Sequence, residues 1–382
     1  MAKKPRAIFE DVATPGRQQA AATGAIERSG GSGARGAVRI WLLVLFALVV
    51  VMIAVGGMTR LTDSGLSITE WAPVTGAIPP LNAEDWQREF DLYRQIPEYQ
   101  LQNAGMTLDE FKVIYWWEWG HRQLGRFVGL VWALGFLWFL VTRTMPRGWT
   151  GRLLLLGALG GLQGAIGWWM VSSGLEPGML DVASYRLATH LGLAFVILGV
   201  IAWYTFRLGR READLLQARR SAEPQLFGGS TGLMHLAFLQ ILLGALVAGI
   251  DAGRMFPTWP DMGGGFLPPE PMVLDPWWRN LFENAGTVQF IHRMAGYLLL
   301  VLGVVVWLRG RRSPNGHTRF AMNTVLAVIF LQVVIGIFTA LYSAPWQLGI
   351  LHQATAVLLW VLILRARFLA RYPLPQSLRG TA

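Results

Sequence analysis

Eight apolar stretches, each about 20 residues long, dominate the pattern of hydrophobic and polar positions along the chain. A helix needs about 20 consecutive apolar residues to cross a bilayer, so the pattern predicts eight membrane-spanning helices. An outer-membrane barrel would instead show short segments of alternating polarity. The predicted spans, numbered one to eight, cover residues 38–58, 117–141, 153–171, 187–206, 231–250, 288–308, 321–341 and 349–369.

Composition agrees with this pattern. The chain is 53% hydrophobic and only 15% charged, whereas a soluble domain carries about 25% charged residues. The fold class that follows is an all-α polytopic membrane protein embedded in the lipid bilayer. Residues 1–37 are polar and of mixed charge, which predicts a disordered tail.

The net charge of +10 could indicate nucleic-acid binding, but its distribution argues against it. Positive residues gather before span one and after spans two, four, six and eight, which all lie on one side of an eight-span protein. The opposite 61–115 loop holds nine acidic and three basic residues. Positively charged loops stay in the cytoplasm, so both termini are predicted to be cytoplasmic. The cationic loops contain Arg143, Arg147 and Arg152, then Arg207, Arg210 and Arg211, then Arg309, Arg311 and Arg312.

Four of the six histidines occupy matching places. His121, His190, His292 and His352 lie near the starts of spans two, four, six and eight, close to the outer face. The even spans run in the same direction, so two histidines of one bundle can face each other across its interior.

The two halves of the chain repeat one another, which predicts two pseudo-symmetric four-helix bundles in the same orientation. The first unit covers residues 38–206 and includes the long external loop 61–115. A cytoplasmic linker, 207–230, leads to the second unit, 231–369, and a tail, 370–382. The matched motifs are Glu118-Trp-Gly-His121-Arg122 with Gln289-Phe-Ile-His292-Arg293, and Leu162-Gln163-x-x-Ile166-Gly167 with Leu331-Gln332-x-x-Ile335-Gly336.

The four histidines form two pairs at one depth of the membrane, and the second half of the chain repeats the positions of the first. This arrangement favours two bis-histidine heme sites. Hydrogen-bonded structural histidines are the alternative, and zinc would want three or four ligands in one cluster. The chain has no cysteine, which excludes thiolate metal sites and covalent heme attachment. His235 and His317 do not fit the pattern and are interpreted as structural and solvated, respectively.

Neighbours of the histidines add candidate chemistry. Arg122 and Arg293 can bind heme propionates bidentately, or anchor their helices at the interface. Glu118 lies on the helical face of His121, whereas its counterpart is Gln289. A carboxyl group can exchange protons and an amide cannot, so the first half is predicted to do chemistry and the second to relay electrons.

These residues carry a resemblance to the heme A synthase family, in the cysteine-free branch of proteobacteria and mitochondria. The resemblance covers spans one to eight. Some bacterial members carry an external cysteine pair that this chain lacks. The motifs are Gly56-Gly57-Met58-Thr59-Arg60-Leu61-Thr62, Ser64-Gly65-Leu66-Ser67, Glu118-x-x-His121-Arg122, Ala188-Thr189-His190-Leu191, Phe290-Ile291-His292-Arg293 and Leu351-His352-Gln353.

The resemblance implies an oxidoreductase that converts the pyrrole methyl of heme O, by successive hydroxylations, to the formyl group of heme A for cytochrome oxidase. It implies that His292 and His352 bind the iron of a heme b cofactor. It also implies that His121 and His190 bind the substrate iron, with Glu118 as the catalytic carboxylate. The location implied is the bacterial inner membrane, with the heme sites towards the periplasm.

The expected partners are heme O, the farnesyltransferase that makes it and an unidentified membrane electron acceptor. Whether the protein forms a homo-oligomer is left open. One alternative is a non-catalytic di-heme electron carrier similar to a cytochrome b. Another is a transporter or heme chaperone, which the repeat architecture alone would allow.

Overall fold

The computed structural model describes residues 32–376, and its regular structure is helical throughout that range. Eight helices are long and apolar enough to cross a membrane, which confirms the predicted number of spans. We number them α1 to α8 in chain order. Their bounds are Ser32–Leu61, Leu108–Val141, Thr150–Gly174, Ser184–Leu208, Pro224–Gly249, Ala285–Gly310, Gly316–Leu341 and Trp346–Arg371.

The helices are longer than the predicted apolar spans, because polar residues at their ends form additional helical turns. In α2, the Thr107 side chain and Glu110 form a reciprocal capping box that begins the helix at Leu108, within the segment assigned to the external loop. Residues 32–37, assigned to the tail, form the first turns of α1, and the predicted linker contains the helix Glu212–Ala218. The tail predictions for residues 1–31 and 377–382 lie outside the described residues.

Helices α1, α4, α5 and α8 form the centre of the bundle, with α2, α3, α6 and α7 outside them. Half of the apolar window of α4 is buried within the protein, against 11% for α2 and for α3. Across the centre, the indole of Trp360 on α8 donates a hydrogen bond to the carbonyl of Phe195 on α4 at 3.0 Å. The two halves of the chain therefore share one hydrophobic core.

The arginine-rich ends of the helices meet at one end of this bundle. The guanidinium of Arg35, in α1, donates to the carbonyls of Arg207 and Arg210 at the end of α4. Arg210 in turn donates to the carbonyl of Tyr372, just after α8. This arrangement agrees with the predicted one-sided charge distribution, while the cytoplasmic location of that side stays a prediction.

At the opposite end, residues 62–107, which we call the cap segment, pack over the first half. The segment contains the helices Ala83–Tyr93 and Pro97–Leu101. Phe90 and Tyr93 from the first of these pack against Phe111 and Tyr115 of α2 in a second hydrophobic cluster. The cap segment is therefore part of the folded structure beside the first pair of histidines.

One arginine joins the two halves at this end. Arg60, at the end of α1, donates to Asp63 at 2.7 Å and to Asp251 at 3.0 Å, and it lies 3.5 Å from Asp181. It also donates to the carbonyl of Ala248 in α5. The loops that follow α1, α3 and α5 are thus tied to a single guanidinium near the candidate site.

Candidate functional site

All four predicted histidines lie over a glycine of the preceding odd-numbered helix. The rings are half-buried, and each turns its Cε1 edge towards that glycine. A Cβ atom in place of the glycine hydrogen would come within 2.9–3.2 Å of Cε1, so the missing side chain is what makes room for the imidazole. The pairs are Gly56 with His121, Gly167 with His190, Gly244 with His292, and Gly336 with His352.

A glutamine lies beside three of these imidazoles, four residues before the glycine in each case. Its amide nitrogen donates to the histidine's own carbonyl at 3.0 Å. It also lies 3.1–3.3 Å from the ring atom Nδ1 and 3.3–3.4 Å from Nε2. The pairs are Gln163 with His190, Gln240 with His292, and Gln332 with His352.

Sequence comparison of the two halves found this Gln-x-x-x-Gly pattern in spans three and seven only. The third copy, Gln240 to Gly244, lies in span five and was missed, because the halves were compared with each other and not helix pair by helix pair. The repeating unit at the site is therefore one odd-numbered helix and the histidine-bearing helix that follows it. In α1 the corresponding position holds Met52.

The rings of His292 and His352 lie 6.4 Å apart, centre to centre, with their planes at 72°. Two metal–imidazole bonds of about 2 Å, with about 1 Å more from each nitrogen to its ring centre, span about 6 Å. The separation therefore fits one metal ion held between the two rings, as the predicted bis-histidine heme site requires. His121 and His190 also lie close enough to interact electrostatically.

Glu118 is buried, with 3% of its surface exposed, and every group that bonds to it is a donor. One carboxylate oxygen accepts from the Ser67 hydroxyl at 2.8 Å and from the Ile68 backbone N–H at 2.7 Å. The other accepts from Arg122 at 2.6 and 3.1 Å. This set of donors suits an ionised carboxylate, which can only accept.

The guanidinium of Arg122 is already engaged within the chain. Besides Glu118, it donates to the carbonyls of Ile68 and Glu70 at the start of the cap segment. A heme propionate, which the sequence predicts as its partner, would share Arg122 with Glu118. The ion pair therefore links the position of the carboxylate to that of the cap segment.

In the second half, Gln289 takes the position of Glu118 and also bonds to a neighbouring backbone group, but as the donor and not as the acceptor. Gln289 donates to the carbonyl of Phe256 at 3.4 Å, where Glu118 accepts from the backbone N–H of Ile68. The Oε1 atom of Gln289 is buried and lacks a hydrogen-bond partner among the described residues. Arg293 donates to the carbonyls of Phe256 and Asp261. Of the two matched positions, only that in the first half carries an acid–base group.

Gln353, next to His352, reaches from the second half to the first. Its amide nitrogen donates to the carbonyl of Ile53 in α1, and its Oε1 occupies the space beside Gly57. Gly57 follows the glycine beneath His121. The matched position after His190 is Leu191, which cannot make this bond, and this asymmetry is the signal that the sequence comparison overlooked.

A second buried carboxyl lies in the cap segment. Glu98 is 3% exposed, and its Oε2 atom has no hydrogen-bond partner among the described residues. Burial raises the pKa of Glu98 to about 8, and the negative charges of Asp181, Asp63 and Glu118 add to the rise. Nothing in the sequence distinguishes this group, because Glu98 is one of many acidic residues in that segment.

His235 and His317 do not join the site. Both are exposed on the protein's surface, His235 midway along α5 and His317 at the beginning of α7. The exposure of His317 agrees with its interpretation as a solvated residue, but it lies in the first turn of α7 and not in a loop.

Comparison with known proteins identifies relatives along nearly the whole chain. The family model COX15-CtaA, described as cytochrome oxidase assembly protein, matches residues 39–364. A heme A synthase from Ruegeria sp. (strain TM1040) is 66% identical over 98% of this chain and 99% of its own length. One from Dinoroseobacter shibae is 67% identical over 99% of each chain, and one from Paracoccus denitrificans is 61% identical over the full length of both. The chain therefore belongs to the COX15-CtaA family of cytochrome oxidase assembly proteins.

Proposed function

We propose that this protein is a heme A synthase, which oxidises the methyl group on one pyrrole ring of heme O to the formyl group of heme A. The observation that carries the proposal is the combination of two matched histidine pairs with the buried carboxylate of Glu118 on the helix of His121, where the second half has Gln289. Full-length relatives that bear this name support it.

The second pair is the proposed site of a resident heme b. When bound, this group supplies one-electron transfer. His292 and His352 would hold it, and their 6.4 Å separation supports this assignment. Arg293, whose hydrogen bonds go to two backbone carbonyls, keeps its positive charge available for a propionate.

The first pair, His121 and His190, is the proposed site for the substrate heme. With water as the source of oxygen, conversion of a methyl to a formyl group raises the oxidation state of its carbon by four and releases four protons and four electrons, and the electrons pass to the membrane electron acceptor. Glu118 is the proposed group that accepts a proton or stabilises positive charge at the reacting carbon, because it is a carboxylate held beside this pair and burial strengthens its attraction for a positive charge relative to water. Arg122, Ser67 and Ile68 hold the carboxylate in position.

The proposed location is the bacterial inner membrane, with the heme sites on the outer side. The proposed partners are the farnesyltransferase that supplies heme O and a membrane electron acceptor. Eight apolar helices and the bacterial relatives support the membrane part of this assignment.

The test is extraction and chromatography of the hemes from purified protein, wild type and Glu118→Gln. Wild type should yield heme b together with heme O or heme A. The variant should retain heme b and heme O but form no heme A, because an amide of the same shape cannot take a proton. Glu84→Gln, an exposed carboxyl at the same end of the molecule, is the matched control and should behave as wild type.

Two results would contradict the proposal. Normal heme A output from Glu118→Gln would remove the carboxylate from the reaction. Heme b alone, at two per chain, would favour the di-heme electron carrier instead.

A further inference from the structure

Three of the four imidazoles have a glutamine partner, and His121 is the exception. Gln163, Gln240 and Gln332 make the same pair of contacts with the same spacing from the glycine. In α1 that position is Met52, four residues before Gly56. A thioether cannot donate a hydrogen bond, so Met52 cannot fix the carbonyl or the ring of His121 as the amides fix the others.

The glutamine contacts restrict the imidazole in two ways. The bond from the amide to the histidine carbonyl ties the odd-numbered helix to the even-numbered one at the level of the ring. The same amide nitrogen lies close to both ring nitrogens. It is 3.2 Å from Nδ1 and 3.3 Å from Nε2 in His190, 3.1 and 3.4 Å in His292, and 3.3 Å from each in His352. A ring packed against a tethered amide in this way has less freedom to rotate.

Each of these amides also has an unused acceptor. The Oε1 atoms of all three are buried and have no hydrogen-bond partner among the described residues. An imidazole that gives Nε2 to a metal carries its proton on Nδ1 and needs an acceptor there. The three glutamines therefore place an amide oxygen, free to accept, in the side chain that lies against each ring, and Met52 offers His121 none.

We propose that Gln163, Gln240 and Gln332 are positioning residues for the heme-ligating histidines, and that Met52 leaves His121 as the releasable ligand. The second half has glutamine on both sides and retains its heme as a cofactor. The first half has glutamine on one side only, so a heme bound there exchanges as a substrate and product must. The identity of these hemes rests on the proposed function.

The first experiment removes a partner from the second half. Gln240→Met reproduces the α1 arrangement beside His292. Loss of such a partner typically lowers metal affinity 10–100-fold. We expect heme b to transfer to apomyoglobin at least tenfold faster than from wild type, and the reduced protein to gain a carbon monoxide-binding fraction. Heme b that is retained as tightly as in wild type, with no carbon monoxide complex, would overturn the proposal.

The second experiment adds the missing partner. Met52→Gln places the amide that the other three helices carry, in a side chain of similar length. Heme O and heme A should co-purify in larger amount and transfer to apomyoglobin at least tenfold more slowly, with heme b unchanged. Met234→Gln, which adds the same amide at a half-buried position elsewhere in α5, should change neither quantity. Equal retention in Met52→Gln and wild type would refute the role given to Met52.

The two proposals fail in different ways. The Gln240→Met experiment measures only resident heme, so it tests the glutamines whether or not the protein makes heme A. Absence of heme O and heme A from every preparation would contradict the proposed function. A wild-type result for Gln240→Met in a protein that makes heme A would contradict the positioning role alone.

Discussion

Gly244 in α5 is a position where a single added methyl group should have a large effect on the cofactor site. The Cβ atom of Gly244→Ala would lie 3.0 Å from Cε1 of His292, whereas ordinary contacts begin at 3.4 Å. The ring must therefore retreat by about 0.4 Å or tilt, while metal–ligand distances tolerate only about 0.2 Å. We expect the bond from His292 to the iron to be lost or greatly weakened.

The same helix provides a matched control. A Cβ atom at Gly228 meets nothing within 4 Å, so Gly228→Ala changes the helix without touching the ring. Alanine favours a helix over glycine by about 1 kcal/mol, so neither variant should unfold for lack of helix propensity. Heme b content per protein, measured by pyridine hemochrome, should fall at least tenfold in Gly244→Ala and stay at the wild-type level in Gly228→Ala.

The position of the low-spin absorption bands gives an independent measurement of the same bond. Any heme that remains in Gly244→Ala should show a high-spin component, because one axial ligand is displaced. Full heme content with an unchanged spectrum would refute the reasoning, since it would mean that His292 does not ligate iron or that α5 and α6 separate without consequence.

Two further predictions concern the first half. Gly167→Ala would bring a Cβ atom within 2.9 Å of the His190 ring, whereas Gly164→Ala on the same helix meets nothing within 4 Å. Heme A formation, measured by extraction and chromatography, should be lost in the first variant and kept in the second. Glu98 predicts a pH effect on the cap segment. Its raised pKa, about 8 against 4.5 in an unfolded chain, means that the folded segment holds the proton more tightly. The contribution of Glu98 to the stability of the cap segment should therefore be fully present below about pH 4.5 and be lost as the pH rises to about 8. Limited proteolysis from pH 6 to 9 should show this loss, and Glu98→Gln should abolish it; an equal dependence in both proteins would contradict the assignment.

The sequence was sufficient for the features that depend on hydropathy and spacing. Runs of apolar residues predicted the eight spans, and the positions of His292 and His352 in parallel spans predicted that their rings face each other. The ends of the helices were less predictable, because capping by Thr107 and Glu110 extends α2 into a polar region.

What the sequence could not provide are contacts that depend on the direction of a long side chain. In the sequence, Gln353 is only a polar residue next to a histidine. The structure shows that its amide lies beside Gly57, in the other half. Arg122 was predicted to bind a propionate, yet its charge lies against Glu118, which is only one helical turn away. Both interactions depend on the rotamer of a long side chain, which spacing alone does not determine.

The helix pair, and not the four-helix half, explains how one architecture can carry two different sites. Each pair supplies a glycine that admits the ring and a histidine that lies over it, and these features are common to all four. The differences are confined to few positions. Methionine replaces glutamine in the first pair only, and the same pair carries Glu118 where the third carries Gln289. The helix pair that lacks a fixed imidazole is therefore also the one with an acid–base group, as expected if substrate exchange and proton transfer occur at the same ring.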